Sequence, residues 1–269
     1  GQIEMNKADE RLDANALDVA VGDASPDCDL AAGQEACDNN QTRALTQTLA
    51  ACSELAQTLS ALFFKTLTQE QIDTLAQQDL SAFADLNEDF DRGLNDIVRY
   101  LRRRNTGTRQ QLACDFTSAF VGTKTYEGKS AVPYESVFTS EDGLLCQQAY
   151  HDIVALYARE GLKKDDGLHI PDDHLSYMLE FTGVLLTRAA SAIEAGDDEG
   201  ARHSLACIHS FVETHMLSWF DAFSQRAQLL LETRFYRGVL YLTRGFLAFT
   251  LDITSDALEE LGEGALKAA

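Results

Sequence analysis

The chain has 269 residues, enough to bury a full core, and its 45% apolar content excludes a disordered protein. Its formal charge of −21, from 22 basic against 43 acidic residues, repels phosphate backbones and anionic lipid and excludes nucleic acid as a natural partner. Three prolines, with Ala, Leu, Gln and Glu recurring at helical spacing, give an all-α, multi-helix reading.

Residues 1–40 carry ten acidic residues against Lys7 and Arg11, and are expected to form a flexible extension or one weak helix. Structured sequence is expected from Gln41, where Leu45, Leu49, Cys52, Leu55, Leu59, Leu62 and Phe63 form a stripe that ends near Lys65. Thr68-Gln-Glu-Gln reads as a capping box for a helix to Gln78, and Asp79 or Ser81 starts another segment. A helix from Asn87 to Arg104 follows. It closes on Arg99, Arg102, Arg103 and Arg104, which the negative helix end explains more simply than a phosphate patch. After Asn105-Thr106-Gly107 a helix runs towards Gly122, and 121–141 is a long connection rich in aromatics.

The next helix is expected over Glu141–Glu160, with Leu145, Ala149, Ile153, Leu156 and Tyr157 on one face. Gly161 and Gly167 then bracket a charged run. Pro171 suits a first helical position, with Asp172 and Asp173 complementing the helix dipole and His174 at the junction. That helix runs to Gly196, Asp197 or Asp198 caps the next, and Trp219, Phe220 and Phe223 cluster beyond it. Gln228–Leu251 is apolar on nearly all sides, as in a central bundle helix. Its charges Glu232, Arg234, Arg237 and Arg244 exclude a membrane span. A short acidic helix from Ser255 closes the chain. The breakers give one helical domain over 41–269, with an N-terminal half 41–160, a hinge 161–171 and a C-terminal half 172–269.

Six cysteines without a C-x-x-C pair read as small core residues in a reducing compartment, and no signal peptide is visible, so a cytoplasmic location is expected. No phosphate loop, dinucleotide fingerprint, H-E-x-x-H motif or nucleophile elbow occurs. The pairs His169/His174 and His209/His215 are spaced five and six apart, which does not align two imidazoles on a helix face. No metal, cofactor or catalytic residue is therefore assigned. The rival from chemistry is a metal-binding or hydrolytic helical protein using His174 with the neighbouring carboxylates.

Four segments, taken in order, resemble one family. They are Leu112-Ala-Cys-Asp-Phe-Thr-Ser-Ala-Phe-Val-Gly122, Pro133-Tyr-Glu-Ser-Val-Phe138, Ile170-Pro-Asp-Asp-His174 with Glu180-Phe181, and Phe211-Val-Glu-Thr-His-Met-Leu-Ser-Trp-Phe220. Together they resemble the TorD/DmsD/NarJ family of redox-enzyme maturation chaperones over roughly residues 42–252. The resemblance implies a TorD-like helical bundle without enzymatic activity or cofactor, monomeric or weakly dimeric. Its implied partner is the apo catalytic subunit of a molybdopterin-dependent oxidoreductase, with its twin-arginine signal peptide. It would assist cofactor insertion and proofread export; NarJ-like members instead serve clients that are not exported.

Carried onto this chain, the family's client-binding segments fall on Tyr134, Glu135, Ser136, Pro171, Asp173 and His174. Tyr134 stands where some members have tryptophan. A receptor for paired arginines beside an apolar segment needs carboxylates beside a groove, which adds Asp172 and Glu180 as candidate acids and Phe138 and Tyr177 as candidate walls.

Overall fold

Side chains that accept the first free amides set several helix starts. The computed structural model describes residues 26–78, 85–165 and 169–268, apart from the side chains of 26–39 and 263–268. At α2 (Gln69–Gln77) the capping box forms: Thr68 Oγ1 accepts from the Gln71 N–H at 3.2 Å, and the Thr68 N–H donates to Gln71 Oε1 at 2.9 Å. Asn87 caps α3 (Glu88–Arg102) by accepting from the Phe90 N–H, and Asp197 caps α8 (Asp198–Phe211) by accepting from the Gly200 N–H. The remaining helices are α1 (Pro26–Phe64), α4 (Thr108–Ala119), α5 (Glu135–Thr139), α6 (Gln148–Arg159), α7 (Leu175–Glu194), α9 (Ser218–Leu230) and α10 (Arg234–Ala268), with a π-helical turn over Val212–Leu217. Among the described residues only two isolated β-bridges occur, and no helix is long and apolar enough to cross a membrane.

Five boundaries differ from the sequence expectations. α1 begins at Pro26 rather than near Gln41, because proline suits a first helical position and Ala31, Ala32, Glu35 and Ala36 propagate the helix. Residues 1–25 and the segment expected from Asp79 or Ser81 lie outside the described residues. The helix expected over Glu141–Glu160 begins only at Gln148: Gly143 (φ 62°) and Cys146 (φ 56°) adopt left-handed backbone, which no α-helix continues through. The Pro171 helix begins four residues later, at Leu175. The single helix expected over Gln228–Leu251 is split between α9 and α10, because Asp115 takes the amides of Glu232 and Thr233. The closing helix from Ser255 is continuous with α10.

Packing joins segments from both sides of residues 161–171: α7 lies on α1, α10 on α3, and α8 against both α7 and α10. One aromatic cluster joins α1, the end of α4, α9 and α10. Phe120 meets Phe63 at 5.2 Å, Tyr236 at 5.4 Å and Phe223 at 5.9 Å between ring centroids, all four fully or nearly buried. The α7 stripe is buried at Leu175, Met178, Leu179, Thr182, Leu185, Leu186 and Ala189.

The α3–α10 crossing is tight enough to require glycine. A Cβ at Gly93 would fall against the Leu242 backbone nitrogen and 2.7 Å from the Gly238 oxygen, and one at Gly245 would lie 2.7 Å from the Phe90 nitrogen. Helix propensity alone makes Gly93→Ala stabilising by about 1 kcal/mol, whereas overpacking costs about 1–3 kcal/mol and here meets backbone that cannot rotate away. Net destabilisation is expected in urea unfolding; a more stable variant would refute this crossing.

Candidate functional site

The loop before α5 is latched to the start of α7. The Leu175 N–H donates to the Pro133 oxygen at 2.9 Å and the Glu135 N–H to the Asp173 oxygen at 3.1 Å, forming an antiparallel bridge between Tyr134 and His174. The fully buried Asp173 carboxylate accepts from the Ser136 N–H at 2.9 Å, so this acid satisfies the start of α5 rather than of its own helix. The cap of α7 is His174, whose Nδ1 accepts from the Ser176 N–H at 3.1 Å. This bond needs a free Nδ1 lone pair, hence a neutral imidazole. Burial accordingly lowers its pKa from 6.5 to about 3, and the Tyr134 ring packs edge-on at 4.8 Å.

A pH dependence follows. Because the folded pKa is depressed, the stabilisation from neutral His174 is complete above about pH 6.5 and is lost as pH falls towards 3. Between pH 7 and 5 the loss through this group is about 2 kcal/mol. Asparagine caps with an amide oxygen that does not titrate. His174→Asn is therefore expected to flatten the pH slope by that amount in denaturant titrations, and an unchanged slope would refute the assignment. Burial raises the Glu135 pKa and acts in the opposite sense, so the difference between the two proteins isolates His174.

Glu135 also ties the loop to the far side of the bundle. Its carboxylate lies 3.1 and 3.2 Å from His215 Nδ1, and this hydrogen bond works against the upward pKa shift from burial. His215 lies within the π-helical turn, whose wider register changes which side chains face the loop. Trp219 Nε1 donates to the His215 oxygen, and Phe138 stacks on Trp219 at 5.6 Å with the Arg226 guanidinium 4.5 Å above its ring.

Below the latch, Lys164 Nζ holds Asp172 Oδ2 at 2.8 Å and donates to the Ile170 oxygen at 2.6 Å, while the Tyr157 hydroxyl donates to the Asp172 oxygen at 3.3 Å. The Pro171 oxygen accepts from the His174 N–H. The first turns of α7 then border a cleft of about 690 Å³ shared with α1. Its walls include Gln57, Ala61 and Phe64 from α1 and Tyr177, Glu180 and Val184 from α7, and Lys65 and Arg188 also border it. Arg188 is paired with Glu160, and among the described residues the buried Tyr177 hydroxyl has no hydrogen-bond partner. Burial pushes the Tyr177 pKa up to about 12.

The ten candidate residues thus fall into three places. Tyr134, Glu135, Ser136, Pro171, Asp172, Asp173 and His174 form the latch, and Glu135, Ser136, Asp173 and His174 are buried within it. Tyr177 and Glu180 line the cleft, while Phe138 is set apart on Trp219. Lys164, His215 and the α1 wall of the cleft were not identified from sequence, since no local pattern distinguishes them. The cysteine expectation needs correction: among the described residues Cys52 is buried, but Cys114 and Cys146 are exposed and Cys207 is half-buried. Cys146 is turned outward by its left-handed backbone, and Cys114 lies on the outer face of α4.

Among the described residues no group of three or more His, Cys, Asp or Glu side chains is placed to hold a metal ion. An all-α bundle with a loop latched to a long helix beside an open cleft is the class that these features define. A family model described as "Nitrate reductase delta subunit" matches residues 83–225. The chain is 30% identical to the chaperone protein TorD of Vibrio vulnificus (strain YJ016) over 205 residues, covering 74% of this chain and 93% of that one. It is 28% identical over 200 residues to the chaperone protein TorD of Vibrio parahaemolyticus, covering 72% and 90%. A solved structure of a protein assigned to redox enzyme maturation in Archaeoglobus fulgidus aligns with a TM-score of 0.41 at 20% identity, over 74% of this chain and 91% of that one. This chain belongs to the TorD/DmsD/NarJ family of redox-enzyme maturation chaperones.

Proposed function

We propose that the chain is a maturation chaperone that holds the apo catalytic subunit of a molybdopterin-dependent oxidoreductase until cofactor insertion, and engages the subunit's twin-arginine leader in the α1–α7 cleft. Family membership supports the chaperone role. The observation that carries the leader reading is the cleft itself, lined by Glu180 with Ala61, Phe64, Tyr177 and Val184, and bordered also by Lys65 and by Arg188, which is paired with Glu160. An acid among such apolar side chains suits a peptide with two arginines followed by an apolar stretch. A desolvated arginine–carboxylate bond contributes about 1.5–3 kcal/mol, and apolar burial about 25 cal/mol per Å².

In this reading the latch residues position the cleft rather than touch the client. Tyr134, Glu135, Ser136, Asp173 and His174 fix where α7 begins, Pro171 and Asp172 complete the turn before it, and Phe138 anchors the loop. The protein acts by binding, in the cytoplasm and before export, with no chemical step of its own. The test is co-expression of the tagged chain with the apo catalytic subunit, with and without its leader. Recovery that depends on the leader is expected. Equal recovery without the leader would favour an adaptor for the mature subunit, and no recovery would overturn the proposal.

A further inference from the structure

Lys164 is placed unlike a surface lysine. Its Nζ donates to Asp172 Oδ2 at 2.8 Å and to the Ile170 oxygen at 2.6 Å, and it lies 5.5 Å from the centroid of the Tyr177 ring. The side chains of Lys164 and Asp172 are only 20% and 13% exposed, whereas those of the surface pair Lys124 and Glu232 are 51% and 77% exposed. An ammonium is strongly hydrated, so this place withholds solvation that the surface pair keeps. The ring that carries Lys164 also lines the α1–α7 cleft.

The place suits a guanidinium better than the ammonium it holds. A guanidinium meets a carboxylate with two parallel bonds and lies flat on an aromatic ring, whereas an ammonium acts as a point charge. At 5.5 Å, Lys164 is near the outer limit of about 6 Å for a cation over a ring. One acceptor is also left over: among the described residues the buried Tyr177 hydroxyl has no hydrogen-bond partner, and a guanidinium brings five donors where an ammonium brings three. Burial first, and then the charges of Asp172, Glu180 and Asp165, keep that hydroxyl protonated, so its surroundings favour an incoming cation. Tyr177 and Glu180, three residues apart, share a face of α7.

We propose that Lys164 is an internal stand-in for the client's arginine, covering a subsite made by Asp172 and Tyr177 in the free chain and leaving it when a client guanidinium arrives. The inference rests on the leader reading above and adds its regulation. Asp172 completes the turn before α7 in the free chain, and its side chain becomes a contact only once Lys164 has left. The lysine lowers the affinity of every cationic peptide by the fraction of chains in which it is seated, so a single ammonium gains little where a guanidinium gains more.

The first test needs no substitution. Lysines of the wild type are acylated with an amine-reactive reagent, with and without a saturating two-arginine leader peptide, and the sites are quantified by mass spectrometry. In the free chain Lys164 should react more slowly than the exposed Lys65. Bound peptide ordinarily shields lysines, but Lys164 should react at least about fivefold faster with the arginine peptide and no faster with the peptide carrying glutamine in their place. In calorimetry Lys164→Gln should tighten the arginine peptide at least about fivefold, whereas Lys65→Gln, which removes the same charge from the border of the cleft, should change it less than about twofold. Circular dichroism should show both variants folded. Equal gains in the two variants, or a Lys164 that stays slow with the peptide bound, would overturn the proposal and leave the leader reading standing; a wild type that does not bind the arginine peptide would remove both.

Discussion

Asp115→Ala should lower the unfolding free energy by about 3–5 kcal/mol, among the largest effects of any single polar substitution in this chain. Asp115 is 3% exposed on α4, and its two oxygens accept from the Glu232 N–H at 2.8 Å and the Thr233 N–H at 2.7 Å. These amides precede α10, the helix that packs on α3, α8 and α1. Each is a charge-assisted bond of about 1.5–3 kcal/mol, and alanine leaves both donors without an acceptor in a partly buried place. Asp115→Asn should cost less, because its amide oxygen still accepts one of the two. Urea unfolding followed by circular dichroism measures both. A loss below about 1 kcal/mol for alanine would mean that the α9–α10 break is held by other interactions.

That break also marks the limit of what local sequence reveals. Caps at Thr68, Asn87 and Asp197, and the buried stripe of α7, involve residues within a few positions of each other, so spacing alone exposes them. Asp115, by contrast, interrupts an apolar run more than a hundred residues away, and nothing within Gln228–Leu251 announces it. Likewise Asp173 reads as a partner for the dipole of its own helix, yet its carboxylate is taken by Ser136 across 37 residues. Cys146, a residue without any turn preference, adopts the left-handed backbone that delays α6.

The candidate site was legible to a comparable degree. Segment resemblance marked Pro133–Phe138 and Ile170–His174, and the fold joins them through the Tyr134–His174 bridge. Burial was not legible, because a polar residue that closes a latch and one that meets a partner have the same sequence. Nor was the α1 wall, since Phe64 and Ala61 read as ordinary members of an apolar helix. The pairing of Glu135 with His215 depends on a π-helical turn that shifts the register of one helix face.

Glu180→Lys should weaken binding of a twin-arginine leader roughly 10- to 100-fold. The substitution exchanges an acid that lines the cleft for a cation, so the proposed arginine contact would be replaced by repulsion. Its side chain is only half-buried, so the fold should tolerate the change. Affinity in the wild type should fall with added salt, whereas the apolar part of the contact should persist.

Calorimetric titration of wild type and Glu180→Lys with a synthetic leader peptide, and with the same peptide carrying glutamine in place of its two arginines, tests the cleft most directly. Saturable binding is expected only for wild type with the arginine peptide, with at least about a tenfold loss from either change and unaltered helicity. Equal affinity of the two proteins for the arginine peptide, or of wild type for the two peptides, would contradict the assignment of this cleft.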